Sequence, residues 1–162
     1  MVLCLCHGLA FILPQCAREK GLETAPDFTL TSISGEKITL SNLKGKTIFV
    51  DFWATWCGPC RESIPHLVNL YKTYHEKGFV IIGVSVDRGD ADLVRRFATS
   101  LDIPYPIVIA TGDLEKQYRV TALPTGFLVD KEGRIIEKFL GFSTAIANRL
   151  NAQIAALTSE NP

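Results

Sequence analysis

The chain has 162 residues, of which 47% are hydrophobic, and this suits one domain with a single buried core and a short extension. Lysine plus arginine and aspartate plus glutamate each number 17, so the formal net charge is zero. A neutral chain has no long-range field that favours nucleic acid or an anionic membrane surface. The composition therefore excludes a partner that is held mainly by a basic surface, and we expect no nucleic-acid binding.

The first twenty residues form an apolar leader. Residues 2–13 are apolar apart from His7. This apolar run is too short to span a bilayer, which needs about 20 apolar residues. The segment resembles the apolar region of an export signal, although no Lys or Arg precedes it. We predict a signal-like or anchoring leader over residues 1–20 and one domain over residues 21–162. The leader indicates the bacterial periplasm or another extracytoplasmic site; if it is not an export signal, the location is cytoplasmic.

Three of the five cysteines, Cys4, Cys6 and Cys16, lie in this leader. A zinc or copper(I) site that joins them to His7 is disfavoured, because paired metal ligands usually leave about two to four residues between them and Cys4 and Cys6 leave one. Lipid attachment at Cys16 is also disfavoured, since Gln15 stands where a lipoprotein signal has a small residue. We expect neither a metal nor a cofactor in this protein.

The body of the chain begins with a predicted β-hairpin. Residues 27–30 and 37–40 alternate apolar and polar side chains around the turn residues Ser34 and Gly35. Residues 46–54 form a nearly continuous run of apolar, β-branched and aromatic residues, which is typical of a strand buried on both faces. Such a strand requires helices on both sides of its sheet.

Helical and strand patterns then alternate along the rest of the chain. Apolar residues recur at helical spacing after Cys57 up to Gly78, a predicted helix end, and an acidic cap at Asp90 is predicted to open the next helix. The predicted elements are, in order, helix 58–77, strand 79–87, helix 90–101, strand 106–110, helix 112–120, a hairpin over 125–142 that turns at 131–133, and helix 144–157. Together they predict an α/β fold with a mixed sheet.

Cys57 and Cys60 lie at the junction between a predicted strand and the helix that follows it. Free backbone N–H groups and the positive end of the helix dipole stabilise a thiolate there, and cysteines of this type have pKa values of roughly 3.5 to 7.5. We therefore predict that Cys57 is a nucleophile, that Gly58 permits a tight turn and that Pro59 is compatible with the first helical turn. Cys60, one turn later, can attack a mixed disulfide formed at Cys57.

Half of a zinc site is the structural alternative for this pair. It would require a second pair of cysteines, and no cysteine follows Cys60. His66 and His75 lie at spacings that do not complete a tetrahedral site with both thiols, so we expect both histidines to be surface residues. The pair therefore indicates redox chemistry.

Two separated motifs resemble thioredoxin-like proteins, namely "VDFWATWCGPCRE" at residues 50–62 and "ALPTGFLVD" at residues 122–130. The preceding hairpin and the segment 79–101 resemble more specifically the TlpA/ResA/DsbE branch of thiol:disulfide oxidoreductases, over residues 25–157 in all. The resemblance implies a thioredoxin-like fold, with a central mixed sheet flanked by helices, an N-terminal hairpin and an inserted strand-helix segment.

The resemblance also implies roles for individual residues. Pro124 would be a cis proline that faces the cysteines, although a plain turn entering a strand would have the same sequence. Asp51 matches a buried acid that accepts the proton of the resolving thiol through water; a solvated position at a strand edge is the alternative. The expected catalytic residues are Cys57, Cys60 and Asp51, and the expected substrate-binding residues are Trp56, Gly58, Pro59, Leu123 and Pro124.

One position departs from the pattern of this branch. Many periplasmic members have a glutamate three residues after the second cysteine, where this chain has Ser63, preceded by Glu62. If that glutamate tunes the members that mature cytochromes, this protein is instead tuned like thioredoxin, with Asp51 in that role.

We expect an enzyme that reduces disulfides in proteins, with apocytochrome c among the candidate substrates. Its partners would be proteins with disulfides or thiols and an upstream redox protein that donates electrons, and the protein would be a monomer with a membrane tether in its leader. A peroxidase is one alternative, but Ala54 stands where peroxiredoxins have threonine and Thr55 is one residue too close to the cysteine. A module that binds partners without catalysis is another.

Overall fold

The structure is a computed structural model that describes residues 22–89 and 91–159. The predicted leader over residues 1–20, with its metal and lipid alternatives, lies outside these ranges, as does the predicted cap at Asp90. The division into a leader and a domain stays a prediction. Along the described ranges, none of the helices combines the length and the apolar character that a membrane crossing needs.

The chain enters the described region through the predicted hairpin. Strands β1 (Thr29–Thr31) and β2 (Lys37–Thr39) pair antiparallel, and a short 3-10 helix over Leu40–Leu43 follows them. The backbone N–H of Ile33 donates to the carbonyl of Ile107 at 2.8 Å, which fastens the hairpin to the edge of the main sheet.

The main sheet has five strands in the order β5-β4-β3-β6-β7. Their bounds are β3 Thr47–Trp53, β4 Phe79–Ser85, β5 Ile107–Ile109, β6 Thr125–Val129 and β7 Ile135–Leu140. Strands β3, β4 and β5 are parallel, whereas β6 runs antiparallel to β3 and to β7. Every residue of β3 is buried, because it is the central strand and helices cover the sheet.

Four α-helices accompany this sheet: α1 Gly58–Tyr74, α2 Ala91–Ser100, α3 Gly112–Gln117 and α4 Thr144–Ser159. Helix α1 packs against α4, and α4 also contacts β3. A 3-10 turn continues α1 to Gly78, whose φ of 85° ends it in the left-handed conformation that glycine adopts without strain.

Side chains alternate between the two faces of β3, as they must in a strand. Phe49 and Asp51 line a cavity that α1 and α4 also line. Phe52 points to the opposite face, where its ring lies 5.1 Å from that of Tyr118. The mixed sheet with flanking helices and a separate hairpin confirms the fold class predicted from the sequence.

Candidate active site

Strand β3 and helix α1 together position the two cysteines. The strand ends at Trp53, a short loop follows, and Cys57 is the N-cap residue of α1. Cys57 and Cys60 form a disulfide with their Cα atoms 5.3 Å apart, and the backbone N–H of Cys60 donates to Cys57 Sγ at 3.2 Å. Cys57 is 7% exposed and Cys60 is fully buried. The N-terminus of a 17-residue helix therefore surrounds the more accessible sulfur with positive potential.

An open cleft surrounds Cys57. Trp56, Pro59 and Leu123 line it together with the cysteine, and the Trp56 side chain is 71% exposed. The peptide bond between Leu123 and Pro124 is cis, which is the isomer that the resemblance implies. The fold thus brings the second sequence motif, at the start of β6, beside the first.

Gly58 opens α1 but does not line this cleft. Its φ lies outside the left-handed region, and an added Cβ would meet no atom within 4 Å. That Gly58 permits the turn stays a prediction; the turn would also accept a larger residue, because it leaves room for a side chain in an ordinary backbone conformation. Pro59 fits its place in the first turn, where its missing N–H has no intrahelical partner to lose.

Asp51 lies at the floor of a second cavity, of about 250 Å³, between α1 and α4. The side chain is 3% exposed, and burial raises its pKa to about 7. Its Oδ2 atom has no hydrogen-bond partner among the residues that the structure describes. In the sheet Asp51 pairs with Gly83 on one side and Gly126 on the other, so the alternative of a solvated strand edge is wrong.

Ser63 also lines the cavity of Asp51, one turn of α1 after Cys60. Its hydroxyl donates to the carbonyl of Cys60 at 2.9 Å, and the side chain is buried. Among the described residues that line this cavity, Asp51 is the only carboxylate. Ser63, one turn after Cys60 on α1, therefore lines a site in which Asp51 is the only described carboxylate.

Comparison with known proteins places the chain in a family. It matches the AhpC/TSA family over residues 22–138. It is 39% identical over 150 residues to the thiol-disulfide oxidoreductase ResA of Bacillus thuringiensis, a match that covers 89% of this chain and 86% of that protein. The ResA of Bacillus subtilis is 38% identical over 122 residues, covering 74% and 67% of the two chains. The chain belongs to the AhpC/TSA family. It is a thiol:disulfide oxidoreductase.

Two solved structures support the same assignment. A thiol:disulfide interchange protein of the thioredoxin family from Chlorobium tepidum matches with a TM-score of 0.77 and 28% identity, covering 85% of this chain and 97% of that one. The exposed lipoprotein thioredoxin of Streptococcus pneumoniae matches with a TM-score of 0.70 and 27% identity, covering 82% and 100%. The thioredoxin-like fold and the family resemblance inferred from the sequence motifs are confirmed.

The residues that hold the loop before Cys57 in this AhpC/TSA protein were not among those predicted from the sequence. Asp87, 6% exposed and also lining the cleft, accepts three hydrogen bonds. Oδ2 of Asp87 accepts hydrogen bonds from the backbone N–H of Thr55 at 2.9 Å and from the hydroxyl of Ser85 at 2.7 Å. Oδ1 accepts one from the Thr55 hydroxyl at 2.6 Å. One feature of the sequence could have indicated this role, namely the two polar residues Ser85 and Asp87 at the end of a strand. The carboxyl ends of neighbouring parallel strands meet at one edge of a sheet, so residues that follow β4 lie near the loop that follows β3.

Other residues of the cleft were also missed. Leu93, on α2, is 44% exposed and extends the apolar lining beyond Trp56. At the same cleft Arg88 forms an ion pair with Glu115 at 2.9 Å. His66 and His75 are exposed, as predicted. Within the described ranges, no cluster of three or more His, Cys, Asp or Glu side chains is placed to hold a metal ion.

Proposed function

We propose that this thiol:disulfide oxidoreductase reduces disulfides in other proteins, with Cys57 as the attacking thiolate, Cys60 as the resolving thiol and Asp51 as the acceptor of the Cys60 proton. One observation carries the proposal. Cys57 caps α1 inside an open cleft, and Cys60 lies buried behind it on the same helix. Such an arrangement lets a substrate reach the first sulfur but not the second.

The reaction begins with the reduced dithiol. The Cys57 thiolate attacks one sulfur of the substrate disulfide, a bond forms between them, and the substrate bond breaks as its other sulfur leaves with the electron pair and takes a proton. Cys60 then gives its proton to Asp51, and its thiolate attacks Cys57 Sγ. The mixed disulfide breaks, the second substrate sulfur leaves as a thiolate, and the disulfide Cys57–Cys60 remains.

Asp51 suits this role because its pKa of about 7 leaves a useful fraction of both protonation states near neutral pH. An upstream redox protein would supply two electrons to restore the dithiol. The cleft would hold an extended substrate chain against Trp56, Pro59 and Leu123, with Pro124 at its edge and Gly58 behind.

We infer an extracytoplasmic location, with the leader over residues 1–20 as export signal or membrane tether and the body as a monomer. The apolar character of the leader supports this location, and a structural relative is described as an exposed lipoprotein thioredoxin. Apocytochrome c is a substrate to test, because its heme-attachment cysteines form a C-x-x-C pair that must be reduced.

Cysteine variants test the proposal directly. We expect Cys57→Ser to abolish the reduction of a disulfide-containing protein by the dithiol form, measured as thiol release. Cys60→Ser should accumulate mixed disulfides between Cys57 and the substrate, detected by mass spectrometry and reversed by added dithiol. A Cys57→Ser variant with full exchange activity would contradict the assignment of the nucleophile.

The structure gives little support to the peroxidase alternative. Ala54 occupies the position of the required threonine, and the Thr55 hydroxyl is already donated to Asp87. Stopped-flow mixing of the reduced protein with hydrogen peroxide should show oxidation no faster than that of an ordinary exposed thiol.

Measured turnover on protein disulfides separates the enzyme from a module that binds partners without catalysis.

A further inference from the structure

The cavity of Asp51 passes from a buried floor to an exposed mouth. Asp51, Ser63 and Pro124 lie at its buried end, and the rings of Phe49 and Phe139 form part of its wall. Apart from Gly141, which precedes α4, the exposed residues that line it are polar and come from α1 and α4: His66, Asn69, Thr73, Asn148 and Asn151. The cavity therefore opens to solvent along the seam between these two helices.

This opening differs from the cleft where a substrate would bind. The cleft is lined by Trp56, Cys57, Pro59 and Leu123, and none of these four residues lines the cavity. Leu123 lines the cleft, whereas the next residue, Pro124, lines the cavity. The start of β6 thus separates the two spaces.

We propose that this cavity is a water-filled route through which Asp51 exchanges protons with solvent, and that it stays open while a substrate chain covers Cys57. The proposal rests on the function proposed above and adds where the proton of Cys60 goes. In the second step of that reaction the substrate is still bonded to Cys57, so the cleft is covered when Asp51 takes up the proton of Cys60. An opening elsewhere lets that proton pass to solvent before the substrate leaves.

The size of the cavity and the polar groups at its two ends favour water, although apolar side chains form much of its wall. The cavity volume of about 250 Å³ is several times the volume of about 30 Å³ that one water molecule occupies in the liquid. A buried water needs two to four polar partners, and Asp51 Oδ2 is an acceptor with no partner among the described residues. The Ser63 hydroxyl and the polar residues at the mouth can continue a chain of hydrogen bonds outward.

Few titratable groups face Asp51. Of the titratable residues of helix α1, His66 lines the cavity at its mouth, and Cys60 lies buried one turn before Ser63, which lines it. Tyr105 lies on the β4 side, and its pKa is raised by burial and by the negative charge of Asp51. From α4 the polar lining residues are the neutral Asn148 and Asn151, and among the described residues β6 and β7 contribute no acidic or basic side chain to the lining. Proton exchange along this seam therefore depends on Asp51 and on water.

A cavity-filling variant tests the route. Ala147, half-buried on α4, lines the cavity, whereas Ala145 is exposed on the same helix and does not. We expect Ala147→Phe to slow the resolution of the mixed disulfide by about tenfold or more, a part of the 10²–10⁴-fold that proton transfer contributes. Ala145→Phe should leave it unchanged.

The two reaction steps are measured separately by stopped-flow, with a disulfide peptide as substrate. In the Cys60→Ser background only the attack of Cys57 is observed, and Ala147→Phe should not change its rate. An unchanged resolution rate in Ala147→Phe, with an unchanged pH profile, would show that the cavity is a packing defect and would overturn the proposal. Failure of the unmodified protein to reduce the peptide would instead overturn the proposed function.

A second measurement does not depend on that variant. The full chain carrying Cys60→Ser is joined through Cys57 to the peptide, and the infrared band of the Asp51 carboxyl group is followed after mixing into D₂O at a pH below its pKa. Asp51→Asn identifies the band. We expect exchange at the same rate with and without the bound peptide; exchange that stops when the peptide covers the cleft would overturn the proposal.

Discussion

At the scale of single residues, the burial of Asp51 affects both stability and chemistry. It is the carboxylate of a fully buried central strand, and no described side chain compensates its charge with a hydrogen bond to Oδ2. A buried carboxyl group without a partner favours its protonated form. The same burial that makes Asp51 a competent acid and base near neutral pH therefore destabilises the folded protein when the group ionises.

Stability should fall as the pH rises through the pKa of Asp51. The pKa of Asp51 in the folded protein, about 7, lies above the ordinary value of 3.8, so the stability present below pH 3.8 is lost as the pH rises from there through 7. The shift corresponds to on the order of 4 kcal/mol. Asp51→Asn should therefore unfold at higher denaturant concentration than the unmodified protein at pH 8, with the difference vanishing near pH 3. An equal difference at both pH values would contradict this.

The hydrogen bonds of Asp87 predict a separate effect on the loop that carries Trp56 and Cys57. Thr55→Val removes the hydroxyl that donates to Asp87, and a bond to a charged group contributes about 1.5–3 kcal/mol. We expect a loss of stability of that size and a lower kcat/KM for a protein substrate, since the nucleophile is less well held. Thr55→Ser keeps the hydroxyl and should retain both; equal losses in the two variants would show that the methyl group matters instead.

At the scale of secondary structure elements, β3 and β6 approach each other closely beside the site. Gly126 on β6 pairs with Asp51 on β3, and the Phe49 ring covers it, with Cζ 2.1 Å from where a Cβ would lie. This close approach lets an aromatic ring form part of the wall of the Asp51 cavity. Packing against the Phe49 ring therefore requires glycine at position 126. Backbone conformation does not require it, because the φ of Gly126 lies outside the left-handed region.

Gly126→Ala should be strongly destabilising. The added methyl group must displace a buried ring, and overpacking of this kind costs about 1–3 kcal/mol or more. Gly112→Ala is the matched control, because its added Cβ would meet only Arg88 at an ordinary 3.7 Å. Urea unfolding of the two variants measures the difference; a Gly126→Ala variant as stable as Gly112→Ala would show that the Phe49 ring moves freely.

At the scale of the whole molecule, the potential of the disulfide decides the direction of electron flow. The residues between the cysteines, Gly58 and Pro59, are uncharged and match those of thioredoxin. We expect an equilibrium reduction potential near that of thioredoxin, about −270 mV, when the full chain is titrated in a thiol redox buffer. A value near about −120 mV would mean that the protein installs disulfides, and would contradict a reducing role.

Much of the architecture could be predicted from local patterns. The apolar run of β3 predicted a strand buried on both faces, and helical periodicity predicted α1 up to Gly78. The position of Cys57 at the start of that helix required only the order of a strand and a helix along the chain. These features depend on neighbouring residues, so a linear pattern contains them.

The contacts between distant segments could not be predicted in this way. Asp87 is 32 residues from Thr55 in the chain, and its three hydrogen bonds depend on β4 lying parallel to β3 in one register. The weak signal was two polar residues at the end of a strand. Nothing in their spacing indicates which loop they hold.

The sequence by itself determined the order of the elements, the redox pair and its place at a helix N-terminus, because periodicity, capping and cysteine spacing act over a few residues. Only the tertiary structure decided between a buried and a solvated Asp51, and showed that its cavity opens between α1 and α4, away from the cleft of Cys57. The physical reason is that burial, and with it the raised pKa of Asp51, results from segments far apart in the chain packing against one another.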